Sequence, residues 1–294
     1  MFAIIDKSFE RLIDVGETIL PLADGFRFLE GPAWHHVDEK LYFNDIQGNA
    51  IYCREQDGRI ALFRPNSYLA NGNTLDRRGW LLTCEHGTSR VTRTAPDGTY
   101  EVLASHYDGK ELNSPNDIVV KTDGRIYFTD PNPGRMPRVG IPRAQELPFQ
   151  GVYMLEPDSG KPTLLVDYLS KPNGLCFDAD ERHLYVNDTD TAKIHRFPVR
   201  DDGTIGEGEV WAQLAGTGKG VADGMKFDSE GNLYCSGPDG IHVYNNQARC
   251  IGKILTPEVC ANFTWGGEDF RTLFMAATST LYALRVKCPG KPLF

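Results

Sequence analysis

One short phrase recurs along the chain: a polar side chain, an apolar strand, a tight turn, then a second apolar strand. The second strands read as residues 41–45, 80–85, 126–130, 184–188, 233–237 and 273–277. The strand before each opens at Gly31, Gly72, Asn116, Asn173, Asp223 and Phe263, in steps of 41, 44, 57, 50 and 40 residues by subtraction. Strand repeats at roughly 40–50 residues mark a β-propeller. Six copies predict six blades. Third strands follow at 50–53, 90–93, 151–154, 193–196, 240–243 and 280–283, and fourth strands at 60–62 and 163–166. The competing reading, an open β-sandwich, requires the six-fold likeness to be chance. No Trp-Asp pair closes a blade, which excludes the WD40 class.

The expectation is therefore all-β: a six-bladed β-propeller with a central metal site. It forms one domain over 1–294, with blades from about 12 to 290. The longest step holds a Pro-rich stretch after the second strand of blade three, read as a loop insertion over 131–150 near the channel mouth. The 30 Gly and 18 Pro supply the turns that many short strands need. A formal charge of -9 argues against nucleic acid as the partner. No segment approaches the ~20 apolar residues of a membrane span. The first ten residues lack a basic start and an apolar core, and the seven Cys form no CxxC pair. A reducing cytoplasm and a free-thiol protein are expected, as a monomer or small homo-oligomer.

The first strand of a propeller blade lines the central channel. The residues opening these strands therefore converge at one mouth. That brings Glu30, Asn116, Asn173 and Asp223 together from nearly 200 residues of chain. Two carboxylates and two amides form a hard oxygen set suited to Ca²⁺, Mg²⁺ or Mn²⁺. Each residue alone also reads as an ordinary turn former before a strand. Asn71 holds the matching place in blade two, as a polar pocket residue, and Phe263 in blade six, as an apolar wall. His86 and Asp130 follow second strands and are candidate acid–base groups. Asp117 would orient Asn116. There is no Gly-x-Ser-x-Gly elbow and no dinucleotide-binding glycine motif.

The motifs Leu29-Glu30-Gly31-Pro32-Ala33-Trp34, Ser114-Pro115-Asn116-Asp117, Pro172-Asn173-Gly174-Leu175 and Ala222-Asp223-Gly224-Met225 resemble those of the SMP-30/gluconolactonase/LRE-like family. The resemblance runs from about Phe26 to Val286. It implies one divalent cation in a six-bladed propeller, with Glu30, Asn173 and Asp223 as ligands and Asn116 touching metal or substrate. It implies calcium first, with magnesium, manganese or zinc as alternatives, and hydrolysis of a small cyclic lactone. Animal aldonolactonases of the family carry Arg two residues before the position of Asn116, for sugar hydroxyls. This chain has Ser114 there, so Ser114 joins Asn116, Asn71 and Phe263 as a substrate-side residue. Cys84-Glu85-His86-Gly87 is closer to bacterial gluconolactonase-like members.

On this reading Asp223 is the first choice of base, with His86 and Asp130 behind it. The alternatives are a non-catalytic, metal-stabilised binding propeller, or a related propeller enzyme acting on sugar acids or other esters.

Overall fold

The structure is a computed structural model that describes residues 1–157 and 159–292. Among the described residues, six antiparallel blade sheets follow one another along the chain, each ordered from an innermost to an outermost strand, and a two-stranded hairpin, His106–Tyr107 with Lys110–Glu111, lies between blades two and three. Blade one runs Leu29–His35, Lys40–Asp45, Ala50–Arg54 and Ile60–Pro65, and blade two runs Ala70–Leu75, Leu81–Glu85, Arg90–Thr94 and Tyr100–Ala104. Blade three has Ile118–Val120, Ile126–Asp130, Gly151–Leu155 and Pro162–Val166, and blade four has Pro172–Phe177, His183–Asp188, Lys193–Pro198 and Glu209–Gln213. Blade five has Met225–Phe227, Leu233–Gly237, Gly240–Tyr244 and Cys250–Ile254. Blade six takes only three strands from the end of the chain, Cys260–Gly266, Thr272–Ala277 and Thr280–Arg285.

The fourth strand of blade six comes from the other end of the chain. Leu20–Ala23 pairs antiparallel with Thr280–Arg285, with Leu20 opposite Ala283. Phe2–Ile4 adds a fifth strand to blade five, opposite Gly252 to Ile254. A helix at Phe9–Leu12 joins the two and buries Phe9 and Leu12 under them. The ring is thus the six-bladed propeller that the repeat predicts. Its closure by the N-terminal segment carries no repeat signal and is not legible in the phrase.

Six apolar clusters hold the ring, one between each pair of neighbouring blades. Aromatic side chains meet across these joints: Tyr127 on Phe177, Tyr185 on Phe227, Tyr234 on Trp265, and Trp34 stacked on Phe274 at 5.6 Å. A wedge of apolar area on both faces of each sheet is why the strand phrases read as continuous hydrophobic runs rather than strict alternations. All seven cysteines are free and most are buried as small apolar fillers, so no disulfide framework exists. No helix is long and apolar enough to cross a membrane.

Candidate metal centre

The strand register defines which residues are equivalent around the axis. Leu29 faces Asp45, Ala70 faces Glu85, Pro172 faces Asp188 and Cys260 faces Ala277. In blades two, four and six the register slips immediately afterwards, and in blade one it slips one residue later, after Glu30 opposite Asn44. A bulge at that point re-aims the side chains beside it toward the axis. The residues so placed are Glu30, Asn71, Asn173 and Ala261. Asn116 and Asp223 take the same place in blades three and five: their amide N–H groups donate to Thr129 and Ser236, the positions matching Asn44 beside Glu30.

Blade six is therefore two residues out of the expected alignment. Ala261, not Phe263, occupies the ring position. Phe263 lies beyond the bulge, opposite Met275, and is fully buried between blades five and six against Tyr234 and Trp265. It is a core residue and forms no wall of the channel mouth. Asn262 reaches the axis instead.

The ring is tied together through its own carbonyls. Asn44 Nδ2 donates to Asn71 O, Thr129 Oγ1 to Asn173 O at 2.7 Å, and Asn187 Nδ2 to Asp223 O. The Gly72 and Gly224 N–H groups donate to Asn116 O and Ala261 O at 2.7 and 2.9 Å. Among the described residues, five of the six blade joints carry such a bond at this level. The approach is close enough to dictate glycine. A Cβ on Gly31, which has φ +57°, would lie 2.0 Å from Asn71 O, and one on Gly174 would lie 2.2 Å from Asp223 O. The Gly that follows the oxygen residue in the repeated phrase is thus a contact between blades.

Asn173 is fixed with its oxygen free. The Thr189 hydroxyl donates to Ala222 O at 2.6 Å, so toward Asn173 it can only accept, and it takes the Asn173 Nδ2 proton at 3.1 Å. Asn173 Oδ1 is then buried with no protein partner. Asp117 Oδ2 is buried and unpartnered in the same way, while its Oδ1 accepts the Ile118 N–H. Glu30 accepts from the Gly31 N–H at 2.7 Å. Glu30 and Asp223 lie within hydrogen-bonding reach of each other, and Asn173 reaches Asp223. Burial pushes the Glu30 carboxyl up to about 7, helped by the charge of Asp117, and raises Asp223 well above the carboxylate range, helped by Glu30 and Asp117. Asp117 is raised by burial too, with Lys226 opposing.

Two buried carboxylates, the half-buried Asp223 beside them and an amide oxygen without a donor form an unfavourable arrangement for the polypeptide alone. A divalent cation fits them: it supplies the missing partner for the orphaned oxygens and the opposite charge for the carboxylates. The donor set is all oxygen, as the sequence expects.

The other sequence candidates have different duties. His86 is buried, and its Nδ1–H donates to Val139 O at 3.0 Å. Its Nε2 is then an acceptor, taken by Asn71 Nδ2 at 2.9 Å. Burial lowers it to about 4, so it is neutral, and it holds Asn71 in the ring. Asp130 is fully buried. Its two oxygens accept the Asn113 and Ser114 N–H groups at 2.8 and 2.7 Å. Burial pushes Asp130 up to about 7 against the pull of those two bonds.

Asp45 does the same for the N–H groups of Arg27 and Phe28, and Asp188 for those of Ser170 and Lys171. Asp130 is thus one of a set of three that fastens the loops entering blades one, three and four. Ser114 Oγ donates to Pro131 O at 2.6 Å and accepts the Gly134 N–H at 2.9 Å. With its side chain fully committed and buried, Ser114 positions the inserted loop and does not face a substrate.

That loop, 131–150, is a fastened wall. It makes one turn at Pro133–Arg135, and buried Arg135 donates to the carbonyls of Asn113, Leu112 and Ala144 and to Glu111. Arg143 reaches from its far side to His86 O at 2.9 Å. The residues that sequence reasoning missed are Thr189, Asn262, Lys226 and the latches Asn44, Thr129 and Asn187. The latches had a signal: a polar residue before Asp ends the second strand of blades one, three and four.

Comparison with known proteins agrees with this arrangement. Residues 28–279 match the family model described as the SMP-30/Gluconolactonase/LRE-like region. A gluconolactonase of Zymomonas mobilis is 29% identical over 304 residues, covering 96% of this chain and 85% of that protein. A solved gluconolactonase from Xanthomonas campestris superposes with a TM-score of 0.90 at 33% identity, covering 97% of this chain and 94% of that one. A calcium-binding protein, regucalcin, from Agrobacterium tumefaciens shares the fold with a TM-score of 0.77 at 18% identity, covering 94% and 96%. With its motifs at the mouth of the channel and the match spanning nearly all six blades, the chain belongs to the SMP-30/gluconolactonase/LRE-like family.

Proposed function

We propose that this protein is a metal-dependent lactonase that opens the ester of a small cyclic lactone. The observation that carries the reading is the buried, partnerless Asn173 Oδ1, on a side chain that hydrogen-bonds Asp223, which in turn meets Glu30, in a chain whose relatives are named gluconolactonases and lactonases. Glu30, Asn173 and Asp223 would hold the cation, with Asn116 completing the ring toward the substrate. A divalent cation bound there supplies Lewis-acid polarisation of a carbonyl oxygen. Calcium is our first choice of ion.

The chain's own residues then do three things. Asn71, steered by neutral His86, and Asn116 present polar groups at the mouth for the ring oxygens of a substrate. The fastened 131–150 loop shapes that side of the mouth and limits the water that enters. Asp223 is our choice of base, because its carboxylate faces the channel while Asp130 and His86 have their hydrogen-bonding capacity committed elsewhere. The substrate is a small molecule rather than a nucleic acid or a membrane surface.

A panel of aldono-, aryl- and alkyl-lactones, followed by acid release with a pH indicator, tests the reading. Release that EDTA abolishes and added cation restores is expected. Asp223→Ala should lose bound metal and at least ~10²–10³-fold in turnover. No release from any lactone, or full activity of Asp223→Ala after metal removal and re-addition, would overturn it.

A further inference from the structure

Three residues past the ring of oxygen side chains, each innermost strand contributes to a second ring: Ala33, Thr74, Val119, Cys176, Lys226 and Thr264. All six line the cavity into which the channel opens beyond the site. Five are uncharged, and Lys226 alone carries charge. Lys226 forms none of the salt bridges of the described residues. Its Nζ lies 3.4 Å from Asn262 Oδ1, and Asn262 in turn hydrogen-bonds Glu30. Its positive charge acts on the carboxyls of Asp117 and Glu30, drawing both down against burial. One ammonium therefore sits one tier below two buried carboxylates, Glu30 and Asp117, and the half-buried Asp223.

With these four groups ionised, the centre carries three negative charges and one positive. We propose that Lys226 sets the formal charge of the site at -2, matching it to a divalent rather than a trivalent cation. The inference rests on the metal reading above and deepens it by naming a residue that selects the ion's valence without coordinating it. The coordinating oxygens cannot make that selection by themselves, since hard trivalent ions of calcium's size accept the same ligands. An uncharged residue like the five others of the tier would leave the site at -3. Coulomb energy scales with ion charge, so the ammonium repels a trivalent ion half again as strongly as a divalent one.

The test compares Ca²⁺ binding by calorimetry with Tb³⁺ binding by sensitised luminescence, in the wild-type chain, Lys226→Met and the charge-preserving Lys226→Arg. Lys226→Met should bind both ions more tightly, with the gain for Tb³⁺ exceeding that for Ca²⁺ by about tenfold at an effective dielectric near 20. Lys226→Arg should keep the wild-type ratio. Equal gains for the two ions, or an unchanged ratio in Lys226→Met, overturn the assignment. Circular dichroism checks the fold, and Lys226→Gln substitutes if the Met variant fails it. Wild-type protein that takes up neither ion overturns the metal reading and the Lys226 assignment with it. That outcome is distinct from uptake with an unchanged ratio.

Discussion

The two ends of the central channel are built by the same six strands and share almost nothing chemically. At one end, the openings of the innermost strands present Glu30, Asn71, Asn116, Asn173 and Asp223, with carbonyls latched blade to blade. At the other, the channel opens into a cavity of about 110 Å³ walled by Trp34, Phe177, Phe227, Trp265 and Phe270. Lys291 and Pro292 line that end, and the C-terminal segment is anchored by the Gly290 N–H to Phe270 O at 2.8 Å and by Lys291 Nζ to Ala179 O at 2.8 Å. The difference teaches that closure of the ring and chemistry at its centre are separable. Apolar surface suffices to close a propeller. Buried acid at its mouth is the part that the proposed cation would stabilise.

The sharpest way to break the comparison is at the oxygen end without touching an oxygen. Gly31→Ala places a methyl against Asn71 O in a backbone conformation that L-residues resist. It should cost ~3 kcal/mol or more of stability and loosen metal uptake, read from denaturant unfolding and a cation titration. A loss below ~1 kcal/mol would mean that the blades are not in obligatory contact there.

Next in size is the response to pH. In the metal-free protein the Glu30 carboxyl is held up to about 7 and Asp223 is raised as well. The folded chain then retains protons that the unfolded chain has released. Its stability should fall as pH rises from about 5 through about 7. A cation replaces those protons, so its apparent affinity should weaken below pH ~7, by up to about tenfold per unit for each proton displaced. Melting temperatures in EDTA and in excess Ca²⁺ between pH 5 and 8 read both trends. A flat metal-free profile contradicts the assignment of Glu30.

The smallest effect belongs to the far end. Thr74→Ser should cost under ~1 kcal/mol and leave kcat unchanged. A tenfold fall in kcat would mean that the far tier takes part in the reaction.

Much of the architecture was legible because the repeat is enforced by packing. Each second and third strand expected from the phrase is a strand, within a residue or two at its ends. Fourth strands were legible only where apolar residues mark them. Tyr100–Ala104 and Glu209–Gln213 lie at the outer edge, largely exposed, and Cys250–Ile254 is covered by Phe2–Ile4; the mixed sequences of all three carry little period. The ring of oxygen residues was legible for five blades. Blade six misled because Ala261 has no polar side chain to mark the position, and a bulge displaces the apolar run by a step.

The misreadings of Asp130 and Ser114 share one cause. A polar residue near a mouth looks the same in sequence whether it faces a ligand or a backbone amide. Only the two N–H groups on Asp130 and the filled hydroxyl of Ser114 separate the cases. The sequence marks 187–191 as a further loop over the same mouth, but the duty of Thr189 within it carries no signal, because its effect is to choose which end of Asn173 faces the axis.

The strand Leu20–Ala23, which completes the last blade from the beginning of the chain, imposes an order on synthesis. Glu30 emerges from the ribosome some two hundred residues before Asp223 and Asn262, and blade six must be made and must pair with residues 20–23 before these side chains can meet. Contacts of such sequence separation form late in folding. The oxygen cluster therefore comes into being only when the circle shuts. Uptake of an ion would report that the whole polypeptide has been made and joined, and a nascent or truncated chain would bind none. The N-terminal strand acts as a clasp that shuts the ring on which the oxygen cluster is assembled.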